Sequence, residues 1–159
     1  MVGLGADHNG LELKDWLKAF LLGEGYGVRD FGTDTPLPVD YPDVAARVGA
    51  AVAGGEVERA ILVCGTGLGM AIAANKIPGV YAAPVGDPTA ACRARESNGA
   101  NVIALGAWTL DHETAARTVM AWLEARFCLE RSGRKVAKIR QLERRYARVP
   151  ERLPREVPA

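Results

Sequence analysis

Six consecutive residues, Cys64-Gly65-Thr66-Gly67-Leu68-Gly69, join a nucleophilic side chain to a glycine-rich turn. Three glycines in five positions let the backbone come close to a ligand and aim several N–H groups at one point. That arrangement suits a phosphate, or an oxyanion formed during a reaction. The thiol at the mouth of the turn stands where the same N–H groups favour negative charge on sulfur. A second pair, Asp7-His8, sets one of only two histidines beside a carboxylate. Together they set a candidate nucleophile or base, an anion cradle and an Asp-His pair at what would be one sheet edge if the first and third strands are parallel.

Each feature also has a plainer use. Cysteine packs as a small buried hydrophobe, glycine turns follow many strands, and Asp7 is a good helix cap. Other phosphate motifs are excluded. A GxGxxG dinucleotide turn would need glycine where Met70 stands, and no GxxxxGK[ST] loop occurs. Asn98 and Asn101, read alone, are loop or cap residues; lying between a helix and a strand, they are expected at the same sheet edge as Cys64. Arg134 and Lys138 are four apart and share a helix face. Their plain reading is a solvated face, but an anion site needs cations.

The elements that position these groups alternate short apolar runs with longer amphipathic ones, the pattern of βα repeats around a parallel sheet. Strands are expected at Val2 to Ala6, Tyr26 to Phe31, Arg59 to Cys64, Val80 to Ala83 and Asn101 to Leu105. The third is the clearest, apolar on both faces as a central parallel strand requires. A helix follows Asp7-His8-Asn9-Gly10, with Leu13, Leu17, Phe20 and Leu21 on one stripe and Glu12, Lys14, Asp15 and Lys18 on its other faces. Asp34 to Pro42 is expected as a loop, followed by a small-residue helix through Val44, Ala45, Val48 and Val52. Further helices are expected from Met70, at Pro88 to Glu96 and at Asp111 to Phe127, the last burying Ala115, Val119, Trp122 and Leu123. Val136, Ile139, Leu142 and Tyr146 mark a narrow apolar stripe that must pack against something. No internal repeat is present.

The 159 residues suffice for one domain, with 48% hydrophobic and 25% charged residues, which excludes a wholly disordered chain. One domain is expected over residues 1–149, with an extended or disordered tail over 150–159. The net charge of +1 excludes a globally basic nucleic-acid coat. Charge is nonetheless segregated: Arg126 to Arg155 carries 11 basic and 3 acidic residues, so the remainder is acidic. Three cysteines at Cys64, Cys92 and Cys128 form no CxxC pair. Neither a disulfide framework nor a zinc site is expected, and a reducing cytoplasm is. No signal peptide and no membrane span are expected. The longest weakly charged stretch, Ala60 to Asn75, is interrupted by glycines and falls short of the ~20 apolar residues a spanning helix needs.

Gly5-Ala6-Asp7-His8-Asn9-Gly10-Leu11-Glu12-Leu13-Lys14, Gly32-Thr33, Asp40-Tyr41-Pro42, Cys64 to Gly69 with Ala73-Ala74-Asn75-Lys76, and Asn98-Gly99-Ala100-Asn101-Val102 resemble type B ribose-5-phosphate isomerase. That family also holds galactose-6-phosphate isomerase subunits, and the resemblance runs from Val2 to about Arg144. It implies a Rossmann-like three-layer α/β/α sandwich around a parallel sheet of about five strands. It also implies an aldose–ketose isomerase with no metal and no cofactor, acting as a homodimer or dimer of dimers with shared active sites. By the same resemblance Cys64 is the general base of a cis-enediolate mechanism, and Thr66 with the amides of Gly65, Gly67 and Gly69 binds the oxyanion. Asp7 handles the ring oxygen or hydroxyls, and Asn98 the reacting end. His8, Arg134 and Lys138 fall at phosphate-binding positions, and Tyr41 in the substrate pocket.

Three departures bear on substrate. The family's ring-opening histidine is replaced by Ser97, a poor proton shuttle at neutral pH. Lys138 replaces an arginine, keeping charge but losing the bidentate fork. The first strand starts abruptly, as if trimmed relative to relatives. The leading expectation is ribose 5-phosphate to ribulose 5-phosphate. The alternative is a tetrose or tetrulose 4-phosphate, which cannot close a furanose because O4 carries the phosphate and so needs no ring opener. A lower-ranked class is a non-catalytic nucleotide- or RNA-binding module on the basic C-terminal helix, which offers little beyond Tyr146 for stacking. The expected partner is a phosphorylated sugar, with no nucleic acid and no membrane. His112, at an acidic helix start, is expected on the surface.

Overall fold

The computed structural model describes residues 1–147; the expected 149/150 boundary and the tail beyond it lie outside them. Five strands form one wholly parallel sheet: β1 (Val2–Ala6), β2 (Val28–Asp30), β3 (Arg59–Cys64), β4 (Ala82–Pro84) and β5 (Val102–Gly106). Their order across the sheet is β2-β1-β3-β5-β4. Six helices connect and cover them: α1 (Leu11–Gly23), α2 (Tyr41–Ala53), α3 (Leu68–Ala74), α4 (Pro88–Asn98), α5 (His112–Glu124) and α6 (Leu129–Tyr146).

The alternation of side chains along each strand explains the three layers. Leu4, Ile61, Val63, Ile103 and Leu105 face one side, where Leu13, Leu17 and Leu21 of α1, Ala91 of α4 and Val119 and Trp122 of α5 close over them. Ala60, Leu62, Cys64, Val102 and Ala104 face the other side, against Val44 and Val48 of α2 and Met70 and Ala74 of α3. Small residues in this second layer bring α2 and α3 close to the sheet. The architecture is the expected α/β/α sandwich.

Several boundaries move. The segment expected as a loop ends early, because Pro42 stands in the first turn of α2, where a missing N–H costs nothing. α3 starts at Leu68, inside the expected turn, and α4 continues through Ser97 to Asn98, ending on left-handed Gly99. Lys14 is not on an outer face. It is fully buried, its ammonium 2.7 Å from Asp30 and 2.8 Å from Asp15. Of the α6 apolar stripe only Val136 is buried; Ile139, Leu142 and Tyr146 remain exposed. No helix among the described residues is long and apolar enough to cross a membrane.

Candidate active site

The strand order reverses between β1 and β3: the chain leaves β1 for β2 on one side and later lays β3 on the other. Helices following adjacent strands then diverge to opposite faces and open a crevice at the strands' C-terminal ends, where ligands bind in open α/β sheets. Asp7 follows β1 and Cys64 ends β3, and Asp7 N–H donates to Val63 C=O at 3.2 Å. The fold thus brings together the two chemical motifs of the sequence.

Cys64 is almost wholly buried, and its Sγ accepts a hydrogen bond from Gly67 N–H at 3.1 Å. The turn that delivers this N–H needs a left-handed φ of +78° at Gly67. Thr66 is exposed; its Oγ1 accepts from Leu68 N–H at 3.3 Å, leaving its O–H free to donate. The N–H groups of Gly69 and Met70 lie in the first turn of α3, where no intrahelical acceptor exists. Sulfur, hydroxyl and free amides therefore come from seven consecutive residues, Cys64 to Met70, at the end of β3.

Two aromatic rings flank it. A Cβ built on Gly69 would lie 2.7 Å from the Tyr41 ring, and one built on Gly65 would lie 2.7 Å from the indole of Trp108. Trp108 follows β5 and is held by its backbone: Ala107 N–H donates to Cys64 C=O at 2.8 Å and Trp108 N–H to Gly65 C=O at 3.0 Å. Beside Tyr41 and Gly69 opens an apolar recess of about 410 Å³, also lined by Ile72 and Ile77.

Asp7 is buried, and its Oδ1 accepts from Asn9 and Gly10 N–H at 3.0 Å each; it shapes the turn ahead of α1 rather than capping the helix, whose N-cap is Gly10. Oδ2 has no protein partner among the described residues, so holding the turn leaves it open to a substrate. His8 Nδ1 accepts from Val39 N–H at 3.3 Å. Its Nε2 lies 3.3 Å from the Asn9 side-chain amide, so the ring is held from both sides at the end of β1. Behind this loop, Asp30 ties α1 to β2: besides Lys14 it binds Lys18 Nζ at 2.9 Å and Gly32 N–H at 2.9 Å. Burial disfavours charge on both Lys14 and Asp30, yet hydrogen bonds and attraction outweigh it: those of Asp15 and Asp30 for Lys14, and those of Lys14, Lys18 and Gly32 N–H for Asp30. Lys14 titrates above an ordinary lysine and Asp30 below an ordinary aspartate.

Asn98, Arg134 and Lys138 do not join this group within one chain. Asn98 ends α4 ahead of β5, at the strands' N-terminal edge, so the expectation that Asn98 and Asn101 share an edge with Cys64 is overturned. A residue between a helix and the next parallel strand must lie at the opposite end. From Ala60↔Val102 to Cys64↔Gly106 the register spans four residues, or about 13 Å at ~3.3 Å per residue. Ser97 is near Asn98, with Arg131 Nη2 donating to its Oγ at 3.4 Å. α6 packs on α4 through Val136 and Ser132, while Arg134 and Lys138 stand exposed on its other face. No group of three His, Cys, Asp or Glu side chains among the described residues could hold a metal ion.

Sequence reading missed Trp108 and the Lys14–Asp30 pair. An aromatic in the turn after β5 was a usable signal for Trp108, since that turn necessarily lies at the Cys64 edge.

A family model described as Ribose/Galactose Isomerase matches residues 2–139. The chain is 41% identical to ribose-5-phosphate isomerase B of Escherichia coli (strain K12), over 91% of this chain and 97% of that relative. It is 43% identical to D-erythrulose-4-phosphate isomerase of Pectobacterium atrosepticum, over 87% of this chain and 91% of that relative. The solved structure of Clostridium thermocellum ribose-5-phosphate isomerase B superposes with a TM-score of 0.89 at 44% identity, covering 91% of this chain and 98% of that one.

Proposed function

The chain belongs to the ribose/galactose isomerase family and is a sugar-phosphate aldose–ketose isomerase, and we propose that Cys64 is its base. The observation that carries this reading is the hydrogen bond from Gly67 N–H to Cys64 Sγ, which stabilises negative charge on the sulfur beside free amides. In the open-chain aldose the thiolate takes the proton on C2, and the C2–H electron pair forms the C1–C2 double bond of a cis-enediolate. Charge moves onto O1, where the Thr66 hydroxyl and the N–H groups of the glycine turn receive it. The thiol returns the proton to C1, while the hydroxyl proton passes from O2 to O1. The product is the 2-ketose, with sulfur restored to thiolate. Asp7 Oδ2 orients the substrate hydroxyls, and the His8 ring faces its phosphate.

The remaining phosphate ligands come from a second copy. Arg134, Lys138 and Asn98 are remote from Cys64 within the chain, yet exposed as a group at the other end. Tyr41, Leu68 and Ile72 leave apolar surface beside the glycine turn, and a two-fold contact between these regions completes two equivalent sites.

Ribose 5-phosphate is the leading substrate. The second reading, a tetrose or tetrulose 4-phosphate, is favoured by Ser97: neither histidine of the chain stands beside Asn98 to open a furanose. Measuring kcat/KM for ribose 5-phosphate and erythrose 4-phosphate in parallel, without added metal, tests both. Turnover of neither sugar would remove the isomerase reading.

A further inference from the structure

Trp108 combines three properties that ordinary surface residues do not share. Its side chain is 70% exposed, yet two consecutive backbone hydrogen bonds pin its turn to Cys64 and Gly65. Its six-membered ring lies flush on the Gly65 backbone. Among the described residues nothing accepts a hydrogen bond from its Nε1–H. The turn is thus fixed at the rim of the oxyanion cradle, and the indole lies over its first glycine with an open face and a free donor. Tyr41 holds the matching place over Gly69, at the far end of the same turn.

We infer that Trp108 is a substrate-contacting residue, the second wall of a slot in which the carbon chain of the phosphorylated sugar lies between two aromatic rings. This rests on the isomerase reading and adds to it a residue that determines how the sugar is held. Sugar C–H faces are apolar enough to stack on an indole, and an indole presents a hydrophobic body with one polar handle. Here Nε1–H donates to a hydroxyl of the chain. Because the contact is made equally in ground state and transition state, its loss raises KM more than it lowers kcat.

Two measurements test this. In the first, Trp108→Ala and Trp108→Phe are assayed with whichever of ribose 5-phosphate and erythrose 4-phosphate the wild type prefers. Trp108→Ala is expected to raise KM about tenfold with kcat within about threefold, and Trp108→Phe to recover part of the loss by stacking alone. In the second, iodide quenching of tryptophan emission is followed in Cys64→Ala, where bound sugar is not consumed. Trp122 is fully buried and Trp16 partly buried in α1, and the sugar is expected to shield the most exposed component, the one that Trp108→Phe removes. Unchanged KM in both variants, or an indole already shielded without sugar because a second copy covers it, overturns the inference. Shielding by the sugar without turnover in the wild type would uphold Trp108 and remove the isomerase reading instead.

Discussion

Gly67 reaches back three residues to donate its N–H to Cys64 Sγ, and it does so only by adopting a φ of +78°. A Cβ there would also stand 3.0 Å from Ala104 C=O on the neighbouring strand. Backbone strain and crowding therefore fall at the residue that orients the sulfur. Gly67→Ala is expected to cost about 1–3 kcal/mol of stability and to lose most activity at permissive temperature. Urea unfolding and kcat measured on the same sample check both.

Removing the sulfur separates chemistry from fold. Cys64 is buried among Val44, Met70 and their neighbours, and alanine fills part of that space at modest cost. Cys64→Ala is expected to fold, bind sugar phosphate and lose kcat by ~10³ or more, since the proton on carbon then has no acceptor. Near-normal turnover would move the base elsewhere. Circular dichroism beside the assay distinguishes an inactive fold from an unfolded chain.

How far the sequence could lead is clearest at β1 and β3. Their boundaries, Val2 to Ala6 and Arg59 to Cys64, are legible because central parallel strands are apolar on both faces and end abruptly at glycine or polar residues. The α3 start at Leu68 was hidden, since Gly67-Leu68-Gly69 reads equally as turn. Lys14 misled because charge at a helical position ordinarily means solvent. Its burial depends on Asp30, sixteen residues away on another element, which periodicity cannot register. Asn98 lies at the opposite edge because, in a parallel sheet, the end of a helix returns the chain to where the next strand begins.

The Lys14–Asp30 pair sets a pH dependence. Asp30 titrates lower in the fold than its ordinary 3.8, so its stabilisation is present above pH ~4 and fades as pH falls through the folded value. Lys14 titrates higher than its ordinary 10.5, so its share persists below about pH 10.5 and fades only above the raised value. Asp30→Asn leaves the buried ammonium paired chiefly with Asp15, at 2.8 Å, and is expected to cost about 1.5–3 kcal/mol at pH 7. The gap to wild type should narrow below pH 4. Urea melts at pH 7 and pH 3 decide this, and equal gaps at both would refute it.

Shared sites predict complementation. Cys64→Ala and Arg134→Glu chains should each be nearly inactive alone. In a mixed dimer, Cys64 of one chain meets Arg134 of the other, giving one intact site and one doubly damaged site. Random assembly in equal amounts should restore about a quarter of wild-type activity per chain. If each site lies within one chain, mixing restores nothing. Co-expression with two affinity tags isolates the mixed species for assay.

Ser97 decides between the two substrates. A furanose must open before its C2 proton becomes acidic, and opening requires a proton delivered to the ring oxygen. Imidazole titrates near neutrality and can both give and take that proton; a serine hydroxyl cannot do so at useful rates. Ser97 is partly exposed, with its Oγ held only by Arg131 at 3.4 Å, so a larger ring fits without disturbing the core. If the protein acts on a four-carbon 4-phosphate, Ser97→His should leave that activity within a few-fold. The same change should raise kcat/KM for ribose 5-phosphate by about 10²-fold, the lower range of acid–base contributions. If ribose 5-phosphate is the natural substrate, opening is already served by other groups and the gain should be small. Steady-state rates of both proteins on both sugars, with pre-opened and freshly dissolved ribose 5-phosphate compared, separate a gain in ring opening from a gain in binding.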